Sequence, residues 1–223
     1  MRNVVNVAAT SIAGMTADDV DAITHRLTAA DQARADAVRT VRQRQRFVVG
    51  RLLIHALAIR VAGPSASDIV VETDVSGRPH ITGGAGGLFV SIAHSDDAVV
   101  AAVARRPVGI DIERATRTPR AGLAERVCSV DEWRRIDGLA NDQRAAAILA
   151  IWVRKEAYGK ARGTGLDFPL RAVTVDPSRP RIAGVDGVWL ARGVEALPGY
   201  LTAVPARGQR WRLKLDVVGY RDL

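Results

Sequence analysis

The chain has 223 residues, 48% hydrophobic and 25% charged, which excludes wholesale disorder and leaves room for one large core or two small ones. Lys and Arg number 32 against 24 Asp and Glu, and the net charge of +8 asks for an anionic partner. A single cysteine, Cys128, excludes an intrachain disulfide, and no apolar run is long enough to cross a bilayer, so a cytoplasmic protein with no membrane attachment is expected.

In chain order, residues 4–9 read as a strand, and 30–39 and 44–61 as helices that end at Gly63-Pro64-Ser65. Residues 69–73 read as a strand, Ser76-Gly77-Arg78-Pro79 as a turn, and 88–93, 99–104 and 108–113 as further strands. A loop follows around Thr116, Thr118 and Pro119. Residues 129–136 and 145–161 then read as helices, with Gly163 as the stop, and strands are expected at 172–175, 188–192, 200–204 and 210–217.

Shifting the sequence by 101 residues aligns Arg78-Pro79-His80-Ile81 with Arg179-Pro180-Arg181-Ile182, and Ala102-Val103 with Ala203-Val204. The same shift places Thr28-Ala29-Ala30-Asp31 on Ser129-Val130-Asp131-Glu132, both helix-start patterns. One offset across several segments indicates an internal duplication. The expected fold is α+β: a pseudo-twofold pair of similar α/β halves, residues 1–113 and 114–223, each with an antiparallel sheet packed on helices.

Alternation in 108–113 turns Val108, Ile110 and Ile112 to one face and Gly109, Asp111 and Glu113 to the other. Two neighbouring carboxylates repel unless a cation compensates them, and Gly109 is expected to leave open space beside them. They read equally well as ordinary surface acids. Glu156 continues the Leu149–Trp152 apolar stripe at helical spacing, and Lys160 lies one turn on. An oxygen-only set from Asp111, Glu113 and Glu156 suits Mg²⁺ or Mn²⁺ rather than zinc; a plain Glu156–Lys160 helix pair is the alternative. Arg42, Arg44, Arg46 and Arg51 form a basic cluster, in which Gly50 offers room for a ligand. His94 closes a strand. Aromatic residues make up only 4% of the chain, so stacking platforms for nucleic acid are scarce.

These segments together resemble the 4′-phosphopantetheinyl transferases of the larger, pseudodimeric type that activates peptide and polyketide synthases. The resemblance rests on Gly109-Ile110-Asp111-Ile112-Glu113, on Trp152 through Lys160, on Val90-Ser91-Ile92-Ala93-His94-Ser95, on Gly77-Arg78-Pro79 and on Arg46 through Leu53. Val90, Ser91 and Ala93 stand where the family pattern has Phe, Asn and Ser. The resemblance implies transfer of the phosphopantetheine arm of coenzyme A to a serine of an acyl or peptidyl carrier protein, at the interface of the halves. It implies Mg²⁺ on Asp111, Glu113 and Glu156, and catalytic roles for Glu156, Lys160, Asp111 and His94. It places the coenzyme against Arg46, Gly77, Arg78, Pro79, His94, Ser95, Asp111, Lys155, Glu156 and Lys160. It further implies a monomer, since the duplication supplies internally what smaller relatives build between subunits.

Overall fold

Threonine and serine hydroxyls start four of the α-helices of this computed structural model, which describes residues 4–63, 69–74, 77–83, 86–176 and 178–223. The first half runs β1 (Val4–Ser11), α1 (Ala17–Thr24), α2 (Ala29–Asp36), α3 (Val41–Ala62), β2 (Val70–Thr73), β3 (Pro79–Thr82), β4 (Phe89–Ser95) and β5 (Ala98–Ala104). The second repeats that order as β6 (Asp111–Arg114), α4 (Leu123–Val127), α5 (Val130–Ile136), α6 (Asn141–Arg162), β7 (Thr174–Asp176), β8 (Arg179–Ala183), β9 (Trp189–Val194) and β10 (Tyr200–Arg207), followed by β11 (Arg212–Val217). Thr16, Thr28, Thr40 and Ser129 cap α1, α2, α3 and α5 by accepting from backbone N–H groups of the first turn. Both long helices stop at a glycine with positive φ, Gly63 at 86° and Gly163 at 80°.

The duplication is visible in the element boundaries. Helices α3 and α6 have 22 residues each and start one hundred positions apart, as do β4 and β9, whereas α2 and α5 differ by 101. The single offset read from the sequence is therefore an average over segments that drift with loop length. Each half also ties its second helix to its long helix by a buried ion pair: Arg51 to Asp31 at 3.4 Å, and Lys155 to Glu132 at 2.6 Å.

One sheet has the order β11-β1-β5-β4 and the other β6-β10-β9-β8-β7, with β2-β3 a separate hairpin. All pairings are antiparallel except β1 with β11. The chain crosses twice: β6 leaves the first sheet to pair with β10, and β11 returns to pair with β1. Helix α3 packs on the first sheet through Val49, Leu53, Val99 and Val103. The opposite face of that sheet meets β6 and β10 through Val7, Val100, Ile112 and Val204. Every residue of β5 is therefore buried. The fold is the α+β arrangement of two α/β halves expected from the sequence.

Helices α1 and α4 and strand β8 form where no element was expected, and Pro79 opens a strand rather than closing a turn. The strand expected over 108–113 narrows to Asp111–Arg114, with Val108 bridged singly to Ala206. Pro64, Ser65 and Ser76 lie outside the described residues.

Candidate functional site

Gly109 brings β6 against α6. A Cβ on it would collide with the Ala157 carbonyl oxygen and fall 2.7 Å from the Ala161 nitrogen, so the open space expected there is filled by helix backbone. That close approach aims Asp111 at the last turns of α6. Lys160 Nζ donates to Asp111 Oδ1 at 2.6 Å and lies 3.7 Å from Glu156 Oε1. Glu113, two residues along β6, accepts from Ser95 Oγ at 2.6 Å and from Arg117 Nη1 at 3.1 Å.

Asp111 is 4% exposed, and its Oδ2 has no hydrogen-bond partner among the described residues. Burial pushes its pKa up to about 7, against the Lys160 ammonium, with the Glu156 and Glu113 charges adding to the rise. Burial likewise raises Glu156, again opposed by Lys160 and reinforced by Glu113. The three acids thus feel one another's charge, and one ammonium stands between two of them. Among the described residues no three of His, Cys, Asp and Glu are already gathered as a ligand cluster. The donor chemistry nonetheless fits a hard divalent ion: all oxygen, with a buried carboxylate oxygen left orphaned.

Two adjoining cavities lie near this cluster, and Lys160 lines the first of them. One, of about 410 Å³, is lined by Arg78, Ser91, Lys160, Gly163 and Thr164. The other, of about 360 Å³, is lined by Arg46, Phe47, Arg51, Ile54, Thr73 and His94. They share Gly77, Pro79 and Ile92 and so form one groove. His94 projects from the end of β4, with its pKa held below the ordinary value by partial enclosure and then by the Arg46 and Lys160 charges. Arg46 Nε and Nη2 donate to the Asp96 carbonyl at 3.2 and 2.7 Å. Arg78 lies over Gly163, where a side chain would collide with its guanidinium. A third cavity, of about 320 Å³, opens beside Glu113 between Arg117, Arg120, Arg126, Leu123, Leu149 and Trp152.

Residues 107–195 match the family model of the 4′-phosphopantetheinyl transferase superfamily, a span that contains Asp111, Glu113, Glu156 and Lys160. Over that span, less than half of its length, the chain is similar to the superfamily. It is 29% identical over 139 residues to 4′-phosphopantetheinyl transferase gsp of Aneurinibacillus migulanus, covering 62% of this chain and 57% of that one. To psf-1 of Bacillus pumilus, also a 4′-phosphopantetheinyl transferase, it is 30% identical, covering 64% and 60%. To Sfp of Bacillus subtilis strain 168 the identity is 27%, with 80% and 81% covered. The matched regions thus span less than two thirds of the first two relatives' length. A solved structure of Thermotoga maritima holo-[acyl-carrier-protein] synthase aligns over 47% of this chain and 64% of that one, with a TM-score of 0.37 and 23% identity, too slight a likeness to build on.

Not every residue carried over from the transferase pattern reaches the groove. Lys155 is fully buried and spends its three N–H bonds on Glu132 Oε2 at 2.6 Å, Val127 O at 2.5 Å and Leu170 O at 2.8 Å. Nothing of it remains for coenzyme A, which corrects the expectation. Lys155 precedes Glu156 by about 100° around the helix and so points into the packing of α4 and α5. Ser95 turns its hydroxyl to Glu113 and not to the groove. At Gly50 a Cβ would collide with Ile92 Cδ1, so an isoleucine, and no ligand, takes that space. Arg42 and Arg44 pair at the surface with Asp97 and Asp21. Sequence reasoning missed Arg117, whose signal was its place four residues after Glu113, and gave no role to Arg51, which lines the groove from a buried position.

Proposed function

We propose that this protein transfers the 4′-phosphopantetheine arm of coenzyme A to a serine hydroxyl of an acyl or peptidyl carrier protein, releasing adenosine 3′,5′-bisphosphate. The observation that carries the reading is a pair of adjoining cavities, one reaching Lys160, which pairs with Asp111 and lies beside Glu156, the other lined by Arg46 and His94. An anionic, elongated substrate fits such a surface better than a compact one. When bound, Mg²⁺ would be held by Asp111, Glu113 and Glu156 and would neutralise pyrophosphate charge; Mn²⁺ suits the same oxygens.

Glu156, with its basicity raised by burial, accepts the serine proton, directly or through a water. Lys160 neutralises the acids in the free protein and is on hand for the pyrophosphate oxygens as charge develops on the leaving group. Arg46, Arg78 and His94 grip the nucleotide phosphates. His94, held toward its neutral form in the free protein, gains a proton as a phosphate arrives. The carrier protein approaches the cavity beside Glu113, where Arg117, Arg120 and Arg126 meet its acidic surface and Leu123 and Trp152 its apolar residues. We read the protein as a cytoplasmic monomer acting on carrier domains, with no nucleic-acid partner.

Following coenzyme A consumption by chromatography, with carrier domain, Mg²⁺ or enzyme omitted in turn, tests the reading. Release of adenosine 3′,5′-bisphosphate should require all three. Release without a carrier domain would point instead to hydrolysis of the pyrophosphate.

A further inference from the structure

Strand β4 is an outer strand of its sheet, and its register decides which of its backbone groups face outward. Ile12 N–H donates to the Asp97 carbonyl at 2.8 Å, so the odd-numbered residues of β5 turn their peptide groups to β1. The even-numbered ones therefore turn to β4, where Ala98, Val100 and Ala102 meet Ser95, Ala93 and Ser91. The alternation directs the N–H and C=O of Val90 and Ile92 away from β5. Among the described residues none of these four groups has a hydrogen-bond partner, and no further strand pairs with that edge.

This open edge lies inside the site. Val90 and Ile92 line the cavity of about 410 Å³ that Lys160 reaches, while their side chains join the core under α3. Ile92 also lines the second cavity, as does His94, the next residue of the same phase. The edge thus runs from the proposed nucleotide cavity past Lys160. Ser91 Oγ accepts from the Ile110 N–H at 3.1 Å, which fixes β4 against the strand that carries Asp111. Arg78 and Lys160 supply charge to the first cavity, and no carboxylate lines it among the described residues. Backbone groups left unbonded in a cavity are costly, and an extended chain lying alongside satisfies them as an added strand does.

Coenzyme A carries such a chain. Its pantetheine arm is uncharged and holds two secondary amides joined by two methylenes. That gives two donors and two acceptors, matching the two of each at Val90 and Ile92. Resting on the coenzyme A reading, we propose that the outer edge of β4 is the subsite for this arm, with the backbone of Val90 and Ile92 hydrogen-bonded to its amides. Recognition is then by main chain, and the side chains at these positions serve only the core.

Site-resolved amide hydrogen exchange on the full-length protein tests this, read free, with coenzyme A, and with adenosine 3′,5′-bisphosphate, which lacks the arm. Calorimetry establishes saturation in each case. Ser91 and Ala93 should exchange slowly in all three states. Val90 and Ile92 should exchange faster than those two in the free protein and slow by about fivefold with coenzyme A, the net worth of one hydrogen bond. The bisphosphate should leave them unchanged. Val90 and Ile92 as protected as Ser91 in the free protein would overturn the proposal. So would bound coenzyme A that leaves their exchange unaltered, or equal slowing by the bisphosphate. A protein that binds neither compound would instead remove the coenzyme reading, and the proposal with it.

Discussion

Gly109 and Ala157 touch backbone to backbone: the strand that carries Asp111 rests on the helix that carries Glu156, with the Ala161 nitrogen 2.7 Å from where a Cβ would be. The convergence of the acids depends on that contact, because nothing larger than hydrogen fits between the two elements. Gly109→Ala should push β6 off α6. A stability loss of about 1–3 kcal/mol is expected from such overpacking, with transfer activity falling further than stability explains. Denaturant unfolding and initial rates check both.

Lys155 separates structure from chemistry in the Trp152–Lys160 segment. Its ammonium and the Glu132 carboxylate are sealed from solvent, and Glu132 also accepts from the Ser129 and Val175 N–H groups. Lys155→Met leaves Glu132 charged and buried without its counter-ion, a loss of about 3–5 kcal/mol. At temperatures where the variant stays folded, its KM for coenzyme A should match wild type. A raised KM in a fully folded Lys155→Met protein would return Lys155 to the binding site.

Much of this site was legible in the sequence because its residues sit on regular elements. Alternation paired Asp111 with Glu113, and helical spacing placed Lys160 beside Glu156. The glycines were not legible. Gly50 read as room for a ligand and Gly109 as open space beside the carboxylates, whereas both are close contacts between elements distant in sequence, which no local pattern encodes. Lys155 was misread for a related reason: adjacent helix positions face different neighbours, and those neighbours come from α4, α5 and the Leu170 turn. The short helices α1 and α4 lacked a long enough apolar period to stand out, and β11 pairs across the halves with β1, a partner no hairpin rule suggests.

Cys128 gives a pH-dependent stability. The thiol is 3% exposed, and its pKa is pushed up to about 11 by burial, with Glu132 adding to the rise. A folded-state pKa above the unfolded value of 9.0 means that this contribution is complete below about pH 9 and is lost as pH rises through about 11. The gap in melting temperature between wild type and Cys128→Ala should therefore be constant up to pH 9. Between pH 9 and 11 it should move against wild type. A gap independent of pH up to 11 would show that the thiol titrates normally.

Arg120 and Arg126 are exposed at the cavity beside Glu113 and reach no part of the coenzyme groove. Arg120→Glu and Arg126→Glu should each raise the KM for an acidic carrier domain while leaving that for coenzyme A unchanged. In the wild type, carrier binding should weaken as salt rises from low to physiological ionic strength, because exposed charges are screened over about 8–10 Å there. Flat carrier affinity across that range would remove electrostatic steering from the account.

The intact mass of a carrier domain, after incubation with coenzyme A and Mg²⁺, tests the central claim most directly. Wild-type enzyme should add one phosphopantetheine mass to the domain's serine. Glu156→Gln, folded to the same melting temperature, should add none. Unmodified carrier domains of several types with wild type, or labelling by Glu156→Gln at the wild-type rate, would contradict the account.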